Sequence, residues 1–181
     1  MTIMTNSPKT TFIHIPKAAG TSISQWLLAR GGRWQFQNTP GGKHAPISLI
    51  REVHPGDLGF TFVSIRNPWD RLVSGYFFYR QRRKLQDLTF QQFVLSEDWH
   101  QLNRPQAEYF EPKDVQAIIR FENLHEDFEQ IQRVFEAKKS LGKHNPSSHN
   151  NYRRYYTNNK MIERVAKRHA ADIQRFGYKF E

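Results

Sequence analysis

Residues 12–28 read FIHIPKAAGTSISQWLL. An apolar, β-branched run stops at Ile15, a proline and a lysine follow, and Ala-Ala-Gly-Thr-Ser leads into an apolar helical pattern. That order describes a strand, a tight loop and a helix, and it constrains the chain more than any other feature. Gly20 lets backbone N–H groups approach an oxyanion, and the new helix directs its positive end to the same place. Lys17 adds a mobile cation. Thr21 and Ser22 add hydroxyl donors, and one of them is the expected N-cap of a helix over 21–30 that Gly31 and Gly32 close. An ordinary strand-to-helix turn is the plainer alternative. Turn, lysine and hydroxyl pair converge on one spot, which favours a phosphate-type ligand.

The rest of the chain alternates in the same way. TTFIHI (10–15) reads as the first strand, RWQFQ (33–37) as a short one, FTFVSIR (60–66) as a second buried strand and VQAIIRF (115–121) as a third. Between them lie a loop, TPGGKHAP (39–46), a short helix, PISLIREV (46–53), and a helix from Trp69 to Lys84 after the Asn67-Pro68 break. Residues 85–112 are expected to be helical, 123–138 form an amphipathic helix, a last helix covers 158–171, and DIQRFGY (172–178) closes the chain. Strands separated by helices imply a parallel α/β sheet with helices on both faces. A length of 181 residues without a Ser/Gly-rich linker suits one domain over 1–181.

Several classes drop out. The chain has no cysteine, hence neither a disulfide framework nor a thiolate metal site. No apolar stretch approaches the roughly 18 residues that cross a bilayer. The N-terminal MTIMTNSPKT lacks the layout of a signal peptide, so the expectation is a cytoplasmic protein with no membrane span. Lysine and arginine exceed the acids, 27 to 17, and the net charge of +10 draws polyanions or phosphorylated ligands. The basic residues bunch at 80–84, 137–143 and 152–156.

The first loop is not of the G-x-x-x-x-G-K-[ST] type, and that spacing occurs nowhere in the chain. Nucleoside triphosphate chemistry also needs Mg²⁺, usually held by an Asp at a neighbouring strand end. Here the second strand ends on Arg66 and the third carries Arg120. A strand-end arginine repels a divalent cation and attracts an anion. The expected site neutralises its ligand with protein cations and holds no metal.

HIPKAAGTS followed by SIRNPWDRLVSGYFF resembles the two nucleotide-binding elements of the PAPS-dependent sulfotransferases, with the closer likeness to the heparan sulfate and other carbohydrate sulfotransferases. RFENLHEDF (120–128) and the C-terminal stretch from YRRYYT to RFGY are similar to later segments of that family. The resemblance implies a P-loop-like three-layer sandwich, a central parallel sheet flanked by helices. It implies that Pro16, Lys17, Ala18, Ala19, Gly20, Thr21 and Ser22 hold the 5′-phosphosulfate of PAPS (3′-phosphoadenosine 5′-phosphosulfate). Arg66 and Ser74 would hold the 3′-phosphate, and PAP, the 3′,5′-diphosphate, would be the product. The plainer role for Arg66 is an ion pair with Asp70; Arg71 is expected at the surface or in a structural contact.

Sulfuryl transfer needs the sulfur held in line, the departing phosphate neutralised and the acceptor hydroxyl deprotonated. Lys17 fits the second task. For the third the chain offers eight histidines. His14 lies inside the expected first strand and reads as a buried structural residue. His54 and His100 sit in unremarkable contexts, while His125 and His169 fall on expected helix surfaces. His144 and His149 flank a polar, aromatic loop, in which Tyr152 and Arg153 are candidate nucleotide contacts. His44, in GGKHAP, matches the place of a histidine base between the two nucleotide motifs of related enzymes; a surface-loop histidine is the alternative.

The expected activity is transfer of a sulfuryl group from PAPS to a hydroxyl, with a saccharide as acceptor and an acidic glycan among the candidates. Another nucleotide-dependent transferase or kinase, or a basic nucleic-acid-binding module, is the competing reading. Neither a triphosphate loop nor a nucleic-acid motif supports those, and no nucleic-acid partner is expected.

Overall fold

The computed structural model describes residues 2–35, 42–82, 87–96, 102, 104–138, 141–142 and 151–181. The readings made of Phe36–Gln37, 39–41, His100, His144, His149 and much of the basic runs at 80–84 and 137–143 lie outside the described residues. The chain divides into two compact units, Met1–Ile65 with Glu108–Asn145, and Arg66–Ala107 with Pro146–Glu181.

The first unit holds the sheet. Its strands are β1 (Thr2–Asn6), β2 (Lys9–Ile13), β3 (Arg33–Gln35), β4 (Phe60–Ile65) and β5 (Ala117–Arg120), in the spatial order β3-β1-β2-β4-β5. β2 pairs in parallel with β4, and β4 with β5, as the strand–helix alternation implies. β1 is the departure from a wholly parallel sheet. It runs antiparallel to both β2 and β3, with Ile3 opposite Phe12 and Trp34. The sheet is therefore mixed and mostly parallel, with β1 alone reversed. Thr2, Ile3 and Thr5 are the β-branched signal for that strand, and the Ser7-Pro8 turn folds it back onto β2.

Alternation along the strands builds the core. Ile3, Phe12, Phe62 and Ile119 share a buried cluster with Ile23, Trp26 and Leu27 of α1 (Gly20–Leu28), and with Phe128 and Ile131 of α5 (Leu124–Val134). The Trp26 ring meets Phe128 edge-on at 5.0 Å. The next residues along the strands, Ile13 and Val63, are also fully buried, so both faces of the central strands are covered. Each such side chain contributes about 1.5–3 kcal/mol relative to exposure. α2 (Ile47–Val53) follows the 46–53 reading and is tied by Ile47 N–H to the Tyr109 carbonyl at 2.8 Å.

The second unit is helical and aromatic. It contains α3 (Pro68–Arg82), α4 (Phe90–Leu95), α6 (Asn159–Arg168) and α7 (Ala170–Phe176). Tyr76 meets Phe90 and Phe93, and Phe90 meets Tyr156 at 5.0 Å; Tyr156 in turn meets Phe180. A Cβ on Gly75 would lie 2.1 Å from Leu102, which accounts for glycine inside α3.

One strand reading and three helix readings are corrected. The strand expected over 10–15 ends at Ile13, so His14 lies just beyond it. Among the described residues of 85–112, α4 and the 3₁₀ turn Gln106–Glu108 alternate with non-helical backbone at Thr89, Ser96 and Pro105, so the stretch is helical only in part. α5 stops at Val134, ahead of Glu136 with φ +49°. The last helical stretch breaks at His169 and resumes as α7, so Asp172–Phe176 is helix. No described helix is long and apolar enough to cross a membrane.

Candidate active site

In the sheet unit, β2 ends at Ile13 and the chain passes through Pro16–Ala19 into α1. Two non-glycine residues of this loop sit in the left-handed region, Lys17 at φ +65° and Ala19 at φ +61°. Such conformations cost on the order of 1–3 kcal/mol each and persist where the surroundings over-determine them. Ala19 is the N-cap, its carbonyl accepting from Ile23 N–H at 3.2 Å. Neither Thr21 nor Ser22 caps α1; no side chain caps it, and its first turn carries no acid. The expected Thr/Ser cap is thus corrected: the left-handed bend places both hydroxyl residues inside the helix, Thr21 exposed and Ser22 buried. At the other end, Gly31 at φ +78° and the Gly32 N–H on the Leu27 carbonyl close the helix as the glycine pair suggests.

The loop is held from below by a residue that motif reading passed over. Ser64 of β4, fully buried, donates its hydroxyl to the Ala18 carbonyl. Its signal in the sequence was one small polar residue in an apolar strand, FVSIR.

Gly20 has a packing role that its spacing did not show. A Cβ there would lie 1.8 Å from Nε2 of His14. The glycine makes room for an imidazole, and that ring is flanked by Phe12, stacked at 5.8 Å, and by His44, edge-on at 4.8 Å. Gly20→Ala should therefore push the His14 ring out of place and cost about 1–3 kcal/mol in a thermal melt, the usual range for overpacking. Adding His14→Ala should recover most of that loss. If the double variant is no more stable than Gly20→Ala, the clash is not the reason for the glycine.

His44 is not a surface-loop residue. It ends the 3₁₀ turn Gly42–His44, is 8% exposed, and its Nδ1 lies 2.9 Å from the His14 carbonyl. A carbonyl only accepts, so Nδ1 carries the hydrogen and the neutral ring keeps its lone pair on Nε2. The structure thus brings His44 against His14 and His14 against Gly20, at the two ends of the loop after β2 that also carries Lys17.

In the helical unit, Arg66 and Ser74 are 2% and 3% exposed. Arg66 Nε donates to Asp70 Oδ2 at 2.8 Å, so the structural ion pair exists. Asp70 and Ser74 occupy successive turns of one face of α3. Asn67 caps that helix, its Oδ1 accepting from Trp69 N–H at 3.0 Å. Arg71 takes the structural of its two expected roles: it is fully buried, with Nη1 on the Arg104 carbonyl at 3.0 Å. Tyr152 donates its hydroxyl to the Glu181 carbonyl at 2.7 Å and rests on Phe180, while Arg153 is exposed and bonds Asn151. Among the described residues no group of three histidine or acidic side chains forms a metal-ligand set.

His169 overturns its surface reading. It is fully buried, Nδ1 faces Asp172 Oδ2 at 3.3 Å, and Nε2 is buried with no partner. Burial, above all, lowers its pKa below the ordinary 6.5; the hydrogen bond to Asp172 opposes that, and Arg71 reinforces it. Asp172 is pushed up by burial, yet bonds from His169, Gln106 and Ala107 bring its carboxyl below 3.8. In both cases the unfolded chain takes up a proton more readily than the folded one. Stability should thus be full above about pH 6.5, fall below it through His169, and fall again below about pH 4 through Asp172. Melting temperature against pH tests this. His169→Gln should flatten the slope between pH 7 and 5, and an unchanged slope would assign it to other groups.

A family model described as "Sulfotransferase family" matches residues 1–179. A protein of Archaeoglobus fulgidus, carried under the description "Uncharacterized protein", is 32% identical over 129 residues, which are 67% of this chain and 96% of that one. No solved structure matches. With the match running from the first strand to the C-terminal helices, the chain belongs to the sulfotransferase family, and its reaction class is sulfuryl transfer.

Proposed function

We propose that this chain transfers the sulfuryl group of PAPS to a hydroxyl of a saccharide, an anionic one by the charge of the protein. Its two units would act as one sulfotransferase domain with a P-loop-like, three-layer arrangement. The observation that carries the donor reading is the loop Pro16–Ser22, strained at Lys17 and Ala19 and opening a helix that no side chain caps. Backbone N–H groups at such a terminus suit a phosphosulfate, and Lys17 adds the charge. The buried Arg66 and Ser74 suit the terminal 3′-phosphate, a guanidinium and a hydroxyl on one anion. Tyr152 and Arg153 are weaker candidates for the same ligand, since the Tyr152 hydroxyl is already engaged.

When bound, PAPS supplies a sulfuryl group on a good leaving group, the 5′-phosphate. The acceptor oxygen bonds to sulfur as the sulfur–phosphate oxygen bond breaks, and the electron pair leaves with that phosphate. Lys17 meets the charge that gathers there. His44 takes the acceptor proton on Nε2, while the His14 carbonyl holds Nδ1–H and steadies the imidazolium that forms. Positioning and electrostatics supply the rate, as in related group transfers.

Calorimetry with PAP in excess EDTA tests the reading. The expected result is binding that chelation leaves unchanged. Binding that vanishes in EDTA and returns with Mg²⁺ would favour a kinase instead.

A further inference from the structure

We propose that Gln106 and Asp172 are positioning residues for Arg66: a buried amide that grips the arginine's backbone, locked in turn by a buried carboxylate. The inference rests on the reading of Arg66 as the 3′-phosphate ligand. Arg66 is the first residue beyond the β4 strand, so its N–H and C=O have left the sheet ladder. Both are nevertheless paired. Gln106 Oε1 accepts from Arg66 N–H at 2.9 Å, and Gln106 Nε2 donates to the Arg66 carbonyl at 2.7 Å. One side-chain amide thereby stands in for a neighbouring strand.

The amide cannot turn over. Its Nε2 also donates to Asp172 Oδ2 at 3.3 Å, and a carboxylate only accepts. Asp172, in α7, is fixed by Ala107 N–H on Oδ1 at 2.7 Å and by His169. Gln106, His169 and Asp172 are all fully buried. At the head of the arginine, Asp70 takes Nε. Arg66 is therefore held at backbone and guanidinium by separate partners, which leaves it one orientation.

Stability alone is a poor reason for such a cluster. It buries a carboxylate, kept ionised by its donors, and a histidine whose Nε2 is unsatisfied. Apolar side chains of similar volume would serve stability at least as well. What a rigid polar cluster adds is a fixed geometry for the group it carries.

The test is discrimination between PAP and 5′-AMP, which differ by the 3′-phosphate, measured by calorimetry. Arg66→Ala should lose roughly ten- to a hundred-fold of the preference for PAP. Gln106→Met and the shape-preserving Asp172→Asn should each lose about five- to ten-fold of it, with AMP affinity within about two-fold. A purely structural role would weaken both nucleotides together or neither, and either result overturns the positioning role. If Arg66→Ala itself keeps the wild-type preference, the donor reading falls first. Folding failure of both variants leaves the unaltered protein as the arbiter. There the Gln106 side-chain amide protons should shift and exchange more slowly with PAP than with AMP, and identical behaviour with both would overturn the proposal.

Discussion

His44→Ala should cut turnover by ~10²–10⁴, the usual share of general-base catalysis, while leaving PAP affinity within about two-fold. The split follows from where the ring is tied. Its Nδ1–H is committed to the His14 carbonyl, so the ring can offer only Nε2 to a reacting hydroxyl. On the proposed reading that nitrogen takes the acceptor proton, and the donor's phosphates are left to other residues. Wild-type turnover should fall in acid as the imidazole takes a proton, and the residual rate of the variant should lack that fall. The measurement needs an acceptor, so a panel of glycans, phenols and hydroxylated lipids with radiolabelled donor comes first. Near-normal turnover of His44→Ala with the true acceptor would move the base elsewhere, and His14, in ring contact with His44, would be the next residue to replace.

Lys17→Ala should behave differently, lowering both PAP affinity and turnover. A cation beside a leaving oxygen is worth most as charge develops there, so turnover should fall by ~10²–10³ and affinity by only about ten-fold. The left-handed backbone at Lys17 holds the root of the side chain in place against the cost of that conformation. The check is kcat and PAP affinity measured on the same preparation. Lost affinity with unchanged kcat would mean that Lys17 binds ground and transition states equally and does no more than hold the nucleotide.

Local patterns in the sequence were read well where the signal is short-range. The loop at Pro16–Ser22 lies between a strand and a helix as its residues suggest, and α2, β4 and α3 begin within a few residues of their expected places. Apolar periodicity and the Gly and Pro breaks are local properties, and a window of ten residues contains them. β1 was open to the same reading, because its threonines and isoleucine carry the strand signal. Its pairing was not, since antiparallel order against β2 and β3 depends on how the chain turns at Ser7-Pro8 and returns after α1.

The amino-acid sequence by itself determined the two nucleotide-type motifs, the basic balance, the alternation of strands and helices and hence the family to which the chain belongs. The tertiary structure decided what individual polar residues do. His44 became buried because the His14 carbonyl, thirty positions away, receives its Nδ1–H. Gly20 proved to accommodate an imidazole, and Ser64 to support the loop from a strand 46 residues further on. Gln106 and Asp172, separated by 66 residues, meet under Arg66. A buried polar group is defined by the partner that satisfies it. That partner comes from a distant segment, and no short-range pattern encodes it.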